Sequence, residues 1–147
     1  ADEPTTALDV TIQAQVLELI SDIRAELGMS VVLITHDLGV VSEHCDRVMV
    51  MYAGQVVEEG PTASVIGDPQ HPYTRGLLGS IPRLSLRGER IRPIEGRVPE
   101  LIDLPPQCRF YSRCGLRTEE CLKPIGMHDA GPNRQARCIK IKSEVMA

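Results

Sequence analysis

Apolar residues follow two different periods in the first third of the chain. From Asp9 to Gly28 they recur every three or four residues, which predicts an amphipathic helix capped by those two residues. We expect the apolar stripe of this helix to pack on a sheet as core, and it consists of Ile12, Val16, Leu19, Ile20, Ile23 and Leu27. Residues 30–35 instead form an apolar, β-branched run, the pattern of a parallel strand buried on both faces.

Shorter elements follow this strand. The pattern predicts a short helix over residues 38–45, a strand over 47–52, a returning hairpin strand over 55–59 and a helical turn over 62–66. This succession is typical of the end of an α/β layer. From Ile81 to Pro106 the chain is rich in proline, glycine and arginine, so we expect an extension with little regular structure.

Composition narrows the class of protein. The 147 residues fit one domain, or part of a domain with a small appendage. A net charge of −4 and an aromatic content of 3% disfavour nucleic-acid binding, including a zinc protein of that class. No apolar run approaches the roughly 20 residues that a membrane-spanning helix needs.

Two acids and a histidine stand where the predicted α/β sheet is expected to bind a ligand. Asp2 and Glu3 are adjacent, and His36 directly follows the predicted strand, at the edge where open α/β sheets bind ligands. In such an acid pair, one carboxylate can face the Mg²⁺ of a nucleotide while the next polarises the attacking water. The residues alone also allow a solvated acidic loop and a structural histidine. Asp37 can orient His36 or cap the next helix.

The order of these residues resembles the second half of an ABC-transporter ATPase domain. There Asp2-Glu3 would end the Walker B strand, Ala7-Leu8-Asp9 would form the D-loop, and His36 would be the switch histidine. The resemblance implies the C-terminal part of a P-loop, RecA-like α/β domain with parallel strands, from a longer protein. It also implies ATP and Mg²⁺. Asp2 would support Mg²⁺, Glu3 would activate water, His36 would hold the γ-phosphate and Asp9 would reach a dimer partner or only cap its helix.

The middle of the chain resembles one branch of that family. His71-Pro72-Tyr73-Thr74 precedes a short leucine-rich segment, and Ile94-Glu95-Gly96-Arg97-Val98-Pro99 follows, as in ATPase subunits of dipeptide and oligopeptide importers. The resemblance implies peptide import, with a second ATPase subunit and membrane permease subunits as partners and a peptide-binding protein as an indirect one. The subunit would lie peripherally on the cytoplasmic face of the inner membrane. His71 itself could be a ligand, but we expect it to be a turn residue.

Four cysteines in the last 40 residues form a candidate metal site. Cys108, Cys114, Cys121 and Cys138 are separated by five, six and sixteen residues. Four thiolates can bind Zn²⁺ or an iron–sulfur cluster, and the short Cys-x2–4-Cys knuckle that zinc sites favour is absent. Spacing alone leaves cluster, zinc and reduced thiols open. Nearby arginines could offset thiolate charge, namely Arg109, Arg113, Arg117, Arg134 and Arg137.

The cysteine pattern after Pro105-Pro106 also resembles the C-terminal module of some dipeptide-importer ATPases, which holds a [4Fe–4S] cluster. Gln107 stands where that family usually has glycine before the first cysteine. The resemblance implies that Cys108, Cys114, Cys121 and Cys138 are the cluster ligands, with Zn²⁺ as the alternative.

These patterns predict three segments: part of an ATPase domain over 1–68, a peptide-importer extension over 69–107 and a four-cysteine tail over 108–147. The sequence has no G-x-x-x-x-G-K-[ST] loop and no Ser-Gly-Gly signature segment. We therefore expect the 147-residue chain alone neither to bind ATP tightly nor to hydrolyse it. The alternative function is a non-catalytic iron–sulfur or zinc-binding interaction module on a degenerate α/β scaffold.

Overall fold

The computed structural model describes residues 1–81 and 93–141. It divides into two compact units, residues 1–46 and residues 47–147. Part of the Pro/Gly/Arg-rich extension and the end of the four-cysteine tail lie outside the described residues. In the described ranges, no helix is long and apolar enough to cross a membrane.

Unit one, residues 1–46, contains helices α1 (Val10–Leu27) and α2 (Leu38–His44). The predicted caps of α1 are confirmed. The Asp9 carboxylate accepts hydrogen bonds from the N–H groups of Thr11 and Ile12, both at 3.0 Å. Gly28 ends the helix in the left-handed conformation (φ 61°), which glycine adopts at little steric cost. The sequence therefore locates α1 to within one residue at each end.

The prediction of a doubly buried parallel strand over residues 30–35 is wrong. Ile34 forms one parallel bridge with Asp2. Apart from this bridge, residues 30–35 form no strand within unit one. Val32 and Ile34 are 69% and 55% exposed because no layer of unit one covers the run. The prediction that the apolar stripe of α1 is core is also only partly confirmed. Leu17 is the buried residue of this fully described helix, whereas Leu19 and Leu27 are exposed.

Unit two, residues 47–147, is built on an antiparallel sheet. Its described strands are β1 (Arg47–Tyr52), β2 (Gln55–Pro61), β3 (His128–Asp129) and β4 (Gln135–Ala136), in the order β1-β2-β4-β3. The predicted hairpin is confirmed. Ala53 and Gly54 both have positive φ (50° and 74°), as a two-residue type I′ turn requires. The parallel sheet expected from the sequence is therefore not found in the described part of this unit.

Helices pack beside this sheet. Helix α3 (Thr62–Gly67) confirms the predicted helical turn, and helix α4 (Pro72–Gly79) begins with proline at its first position. Two short 3-10 helices follow, Tyr111–Arg113 and Glu119–Leu122. The buried core brings the sheet and the tail together and consists of Val50, Tyr52, Val57, Val65, Phe110 and Cys114.

A buried carboxylate joins distant parts of unit two. Glu58 on β2 has no exposed surface. Its oxygens accept hydrogen bonds from the backbone N–H groups of Gln70 (2.8 Å) and His71 (2.9 Å) and from Arg134 Nη2 (2.6 Å). Breaking such a buried pair by removing one partner typically costs about 3–5 kcal/mol. Glu58 thus fixes the N-terminus of α4 and the segment before β4 against the sheet.

Candidate functional site

The first candidate site is at the N-terminus of unit one. The Glu3 N–H donates to the carbonyl oxygen of Ile34 at 2.9 Å, and the Ile34 N–H donates to Ala1 at 2.9 Å. This pairing places the acid pair beside the segment that ends in His36. Glu3 has φ 42°, a left-handed conformation that is uncommon for a side-chain-bearing residue and costs of order 1–3 kcal/mol. Such outliers cluster at functional sites.

Glu3 and His36 are in direct contact. His36 Nδ1 lies 3.1 Å from Glu3 Oε1, and the Thr6 hydroxyl donates to Glu3 Oε2 at 2.8 Å. The Thr6 hydrogen bond first, and His36 second, hold the pKa of Glu3 below its usual value. Both side chains of the pair are well exposed, so the pair contributes little stability. These two contacts therefore favour the ionised form of the Glu3 carboxylate and fix its orientation.

The other acids in unit one have separate positions. Asp2 is exposed beside Glu3, where its backbone bridges to Ile34. Asp9 is exposed and caps α1 with one carboxylate oxygen. Asp37 Oδ1 accepts the N–H groups of Gly39 (2.8 Å) and Val40 (3.4 Å). Of the two roles left open for Asp37, the contacts support helix capping.

The second candidate site is a cavity in unit two that all four tail cysteines line. The cavity is small, with a volume of about 10 Å³, and its walls include Cys108, Cys114, Cys121, Cys138, Phe110 and His71. Cys114, Cys121 and Cys138 are buried and Cys108 is half-buried. Burial raises the pKa of Cys108, Cys114 and Cys138, so these thiols stay neutral unless a cation compensates their charge.

Hydrogen-bonding groups lie next to the four sulfur atoms. Hydrogen bonds with the backbone two residues further along, at Phe110, Leu116 and Lys140, lower the pKa of Cys108, Cys114 and Cys138 against the larger effect of burial. The Lys140 bond measures 3.3 Å. The Thr118 hydroxyl lies 3.7 Å from the sulfur of Cys121. Donors aimed at sulfur stabilise thiolates and tune the clusters they bind.

These side chains are not gathered around a single point. Among the described residues, no group of three or more His, Cys, Asp or Glu could hold a metal ion. A tetrahedral zinc site requires all its ligands close to one centre, with Zn–S bonds of about 2.3 Å. A polynuclear cluster instead has separate corners for its ligands, and the four thiols of this chain line one small cavity.

Most arginines of the tail donate hydrogen bonds that hold the fold together. Arg109 donates to the Ala53 carbonyl, Arg113 to the Ile94 and Glu95 carbonyls, Arg134 to Glu58, and Arg137 to the Val56 and Ile125 carbonyls. Arg117 lines the cavity and opposes the rise in the pKa of Cys114. The expectation that all five arginines offset thiolate charge is therefore supported for Arg117 alone among them.

Sequence reasoning missed His71 as part of this cavity. It is 1% exposed, caps α4 by accepting the Tyr73 N–H at Nδ1 (3.1 Å), and lies near the Phe110 ring. Burial lowers the pKa of His71 to about 4. Its position before Pro72 signalled a helix start, but nothing in the sequence signalled that this start faces the cysteines.

Comparison with known proteins gives consistent results. Residues 57–121 match the family model described as "Oligopeptide/dipeptide transporter, C-terminal region". The chain is 53% identical over 138 residues to a putative peptide import ATP-binding protein of Brucella abortus, a match that covers 94% of the chain and 42% of the relative.

Further relatives have related descriptions. The dipeptide transport ATP-binding protein DppD of Bacillus subtilis is 57% identical over 121 residues, covering 82% of the chain and 36% of the relative. A putative peptide import ATP-binding protein of Brucella ovis is 48% identical over 147 residues, covering 95% of the chain and 44% of the relative. The chain thus spans less than half the length of the curated relatives it matches.

Proposed function

Because this chain belongs to the family of oligopeptide and dipeptide transporter ATP-binding proteins, we propose that it is part of an ATP-hydrolysing subunit that powers peptide import. Its partners in this function are a second ATP-binding subunit and membrane permease subunits, with a peptide-binding protein acting indirectly. The subunit works peripherally at the cytoplasmic face of the membrane. The three predicted segments, 1–68, 69–107 and 108–147, are part of this proposal.

The observation that carries the proposal is the 3.1 Å contact between Glu3 and His36. An ionised glutamate next to an exposed imidazole can orient and polarise a water molecule for in-line attack on a phosphate. We assign water activation to Glu3, γ-phosphate positioning to His36 and support of Mg²⁺ to Asp2. Asp9 remains a helix cap and is proposed also to face the partner subunit across the dimer interface.

A chimera tests these roles. In it, this chain replaces the corresponding part of a full-length relative, and the transporter is assembled with its permease. We expect Glu3→Gln to slow ATP turnover at least about a hundredfold, the usual scale for loss of a general base, while ATP binding persists. Glu18→Gln changes an exposed acid on α1 and serves as the matched control. Unchanged turnover in the Glu3 variant would remove the assignment.

The 147-residue chain on its own is proposed to be inactive as an ATPase. The phosphate-cradling loop and its lysine do not occur in this sequence, and the Glu3–His36 pair cannot replace them. Phosphate release by the purified chain, abolished by Glu3→Gln, would contradict this part of the proposal.

We further propose that the four-cysteine cavity holds a [4Fe–4S] cluster through Cys108, Cys114, Cys121 and Cys138. Support comes from the shared cavity and from the hydrogen-bonding groups next to Cys121 and Cys138. When bound, the cluster supplies a cationic core that lets buried thiols ionise, and it links the segments of the tail that carry the four cysteines. This function is structural and is separate from ATP hydrolysis.

Anaerobic purification with iron, sulfide and zinc analysis tests the cluster. We expect matching iron and sulfide contents and a broad visible charge-transfer band. Single Cys→Ser changes at the four positions should abolish the band. Cys45→Ser is the matched control because Cys45 belongs to unit one. Stoichiometric zinc without sulfide would overturn the cluster assignment, as would a metal-free protein.

A further inference from the structure

A backbone hydrogen bond joins two of the four tail cysteines directly. The Cys108 N–H donates to the Cys121 carbonyl oxygen at 3.0 Å. With standard backbone dimensions, a bond of this kind holds the two α-carbons within about 6.5 Å of each other. Disulfides join α-carbons that are about 4.4–6.8 Å apart. The main-chain spacing of this pair therefore suits a direct bond between the two sulfur atoms.

The side chains of this pair line the same cavity. Cys108 and Cys121 both belong to its wall, and its volume is about 10 Å³. A cavity of this size holds at most about one water molecule, so little free space separates the side chains that line it. The Thr118 hydroxyl lies 3.7 Å from the Cys121 sulfur, and this contact restrains the position of that sulfur.

The two thiols differ in their access to solvent. Cys108 is half-buried, whereas Cys121 is only 6% exposed. A reagent from solvent therefore reaches Cys108 first, and Cys121 is placed to react with the product. Burial raises the pKa of Cys108, so this thiol reacts more slowly than an activated cysteine. An accessible cysteine next to a second, resolving cysteine is the arrangement of reversible thiol oxidation.

We propose that Cys108 and Cys121 form a reversible disulfide when the metal-free chain meets hydrogen peroxide. The Cys108 sulfur, after losing its proton to solvent, attacks one peroxide oxygen. A sulfur–oxygen bond forms, the oxygen–oxygen bond breaks and hydroxide leaves, which gives a sulfenic acid. The Cys121 sulfur then attacks the Cys108 sulfur, and the sulfur–oxygen bond breaks as the disulfide forms. The departing hydroxyl takes the Cys121 proton, so two thiols reduce one peroxide to two waters.

This disulfide would decide whether the cysteine cavity can be loaded. Metal ions and clusters are bound by thiolates, so a sulfur in a disulfide is not available as a ligand. The link would remove two of the four proposed ligands at once, and a dithiol reductant would return them by thiol–disulfide exchange. Formation of the link itself does not depend on which metal or cluster the cysteines hold.

Peptide mapping identifies the link directly, because arginines separate the four tail cysteines along the chain. Cleavage after arginine leaves Cys108, Cys114, Cys121 and Cys138 on four different peptides. The chain is purified with a chelator and a reductant, desalted, treated with hydrogen peroxide and digested without reductant. We expect the loss of two of its five thiols and one dominant cross-linked peptide, between Cys108 and Cys121. A dominant link between any other pair, or the retention of all thiols, would overturn the proposal.

The same treatment in guanidinium chloride controls for proximity along the chain. In an unfolded chain, shorter loops close at a lower entropic cost, so Cys114 should pair with Cys108 or with Cys121. We expect the Cys108–Cys121 link to dominate only in the folded chain. The same pattern of links in both conditions would mean that the folded arrangement does not select this pair.

Serine substitutions test the order of the two steps. Cys121→Ser removes the resolving thiol, so we expect the sulfenic-acid reagent dimedone to label Cys108. In Cys108→Ser we expect no label at Cys121, because that thiol is buried. Cys45→Ser is the matched control and should keep the wild-type link. Labelling of Cys121 without labelling of Cys108 would contradict the assigned order.

Reconstitution with iron and sulfide separates this inference from the proposed cluster. We expect the reduced chain to load, the oxidised chain to lose loading, and dithiol treatment to restore it. Equal loading of the oxidised and reduced chains would overturn the control of loading by the disulfide. If neither form loads while the Cys108–Cys121 link is found, the cluster proposal fails and the disulfide is supported.

Discussion

At the scale of single residues, the ionisation of Glu3 depends on a neighbour that is easily overlooked. The hydrogen bond from the Thr6 hydroxyl is the largest single influence on the pKa of Glu3, and the hydrogen bond with His36 comes second. A proposed general base must be ionised at working pH and must also be oriented. Thr6 does both, because its hydroxyl binds one carboxylate oxygen and leaves the other for His36.

Thr6→Val is expected to raise the pKa of Glu3 toward its ordinary value, because valine keeps the shape of threonine but cannot donate a hydrogen bond. His36→Gln should also raise it, by less. The titration of the Glu3 carboxyl carbon, followed by NMR in the isotopically labelled chain, measures both shifts. Thr11→Val on α1 is the control and should leave the titration unchanged. A larger shift for His36→Gln than for Thr6→Val would contradict this order of causes.

Residue patterns predicted that Glu3 and His36 serve the same ligand-binding edge, but neither their direct contact nor its supporting partners. The 3.1 Å contact between the two side chains is a finding of the structure. The Glu58–Arg134 pair joins residues that are 76 positions apart and carry no local signature. His71 was equally hidden, since its local pattern describes a helix start and its burial depends on a tail that comes later in the chain.

At the scale of elements, α1 shows which parts of the fold are encoded locally. Its ends follow from Asp9 and Gly28, since cap geometry depends on the adjacent backbone. The apolar run at residues 30–35 was misread because strand burial depends on neighbours from elsewhere. Here its described partner is the short segment 1–3, so Val32 and Ile34 stay exposed.

The two roles of Asp9 can be separated by a pair of substitutions. Asp9→Ala removes the cap of α1 and should reduce the stability of unit one by about 1 kcal/mol, measured by urea denaturation. Asp9→Asn keeps a capping oxygen and should cost much less. If Asp9 also faces a partner subunit, Asp9→Asn in the chimera should still slow ATP turnover. Equal stability losses for both substitutions would mean that the carboxylate charge, not the capping oxygen, supports the helix.

At the scale of the whole molecule, the C-terminal tail of unit two depends on contacts other than its short strands. Strands β3 and β4 have two residues each, too few to be stable alone. The Arg134–Glu58 pair fixes the segment before β4, and the Arg137 N–H donates to Val57 at 2.8 Å. The proposed cluster would add a link from Cys138 to the three earlier cysteines. The ion pair restrains the tail before β4, and the proposed cluster would restrain it after β4.

Removal of iron should therefore loosen the tail without unfolding the hairpin. We expect hydrogen exchange at the Arg137 amide to be faster in metal-free than in loaded chain, because Cys138 is then released and local opening costs less free energy. Amides of β1 that pair with β2 are the internal control and should keep their protection, since the β1–β2 ladder contains none of the four cysteines. Equal protection of Arg137 in both forms would show that the Glu58–Arg134 pair holds the tail unaided. Loss of protection throughout the hairpin would show instead that the cluster supports the core of the whole unit, through Cys114 and its neighbours there.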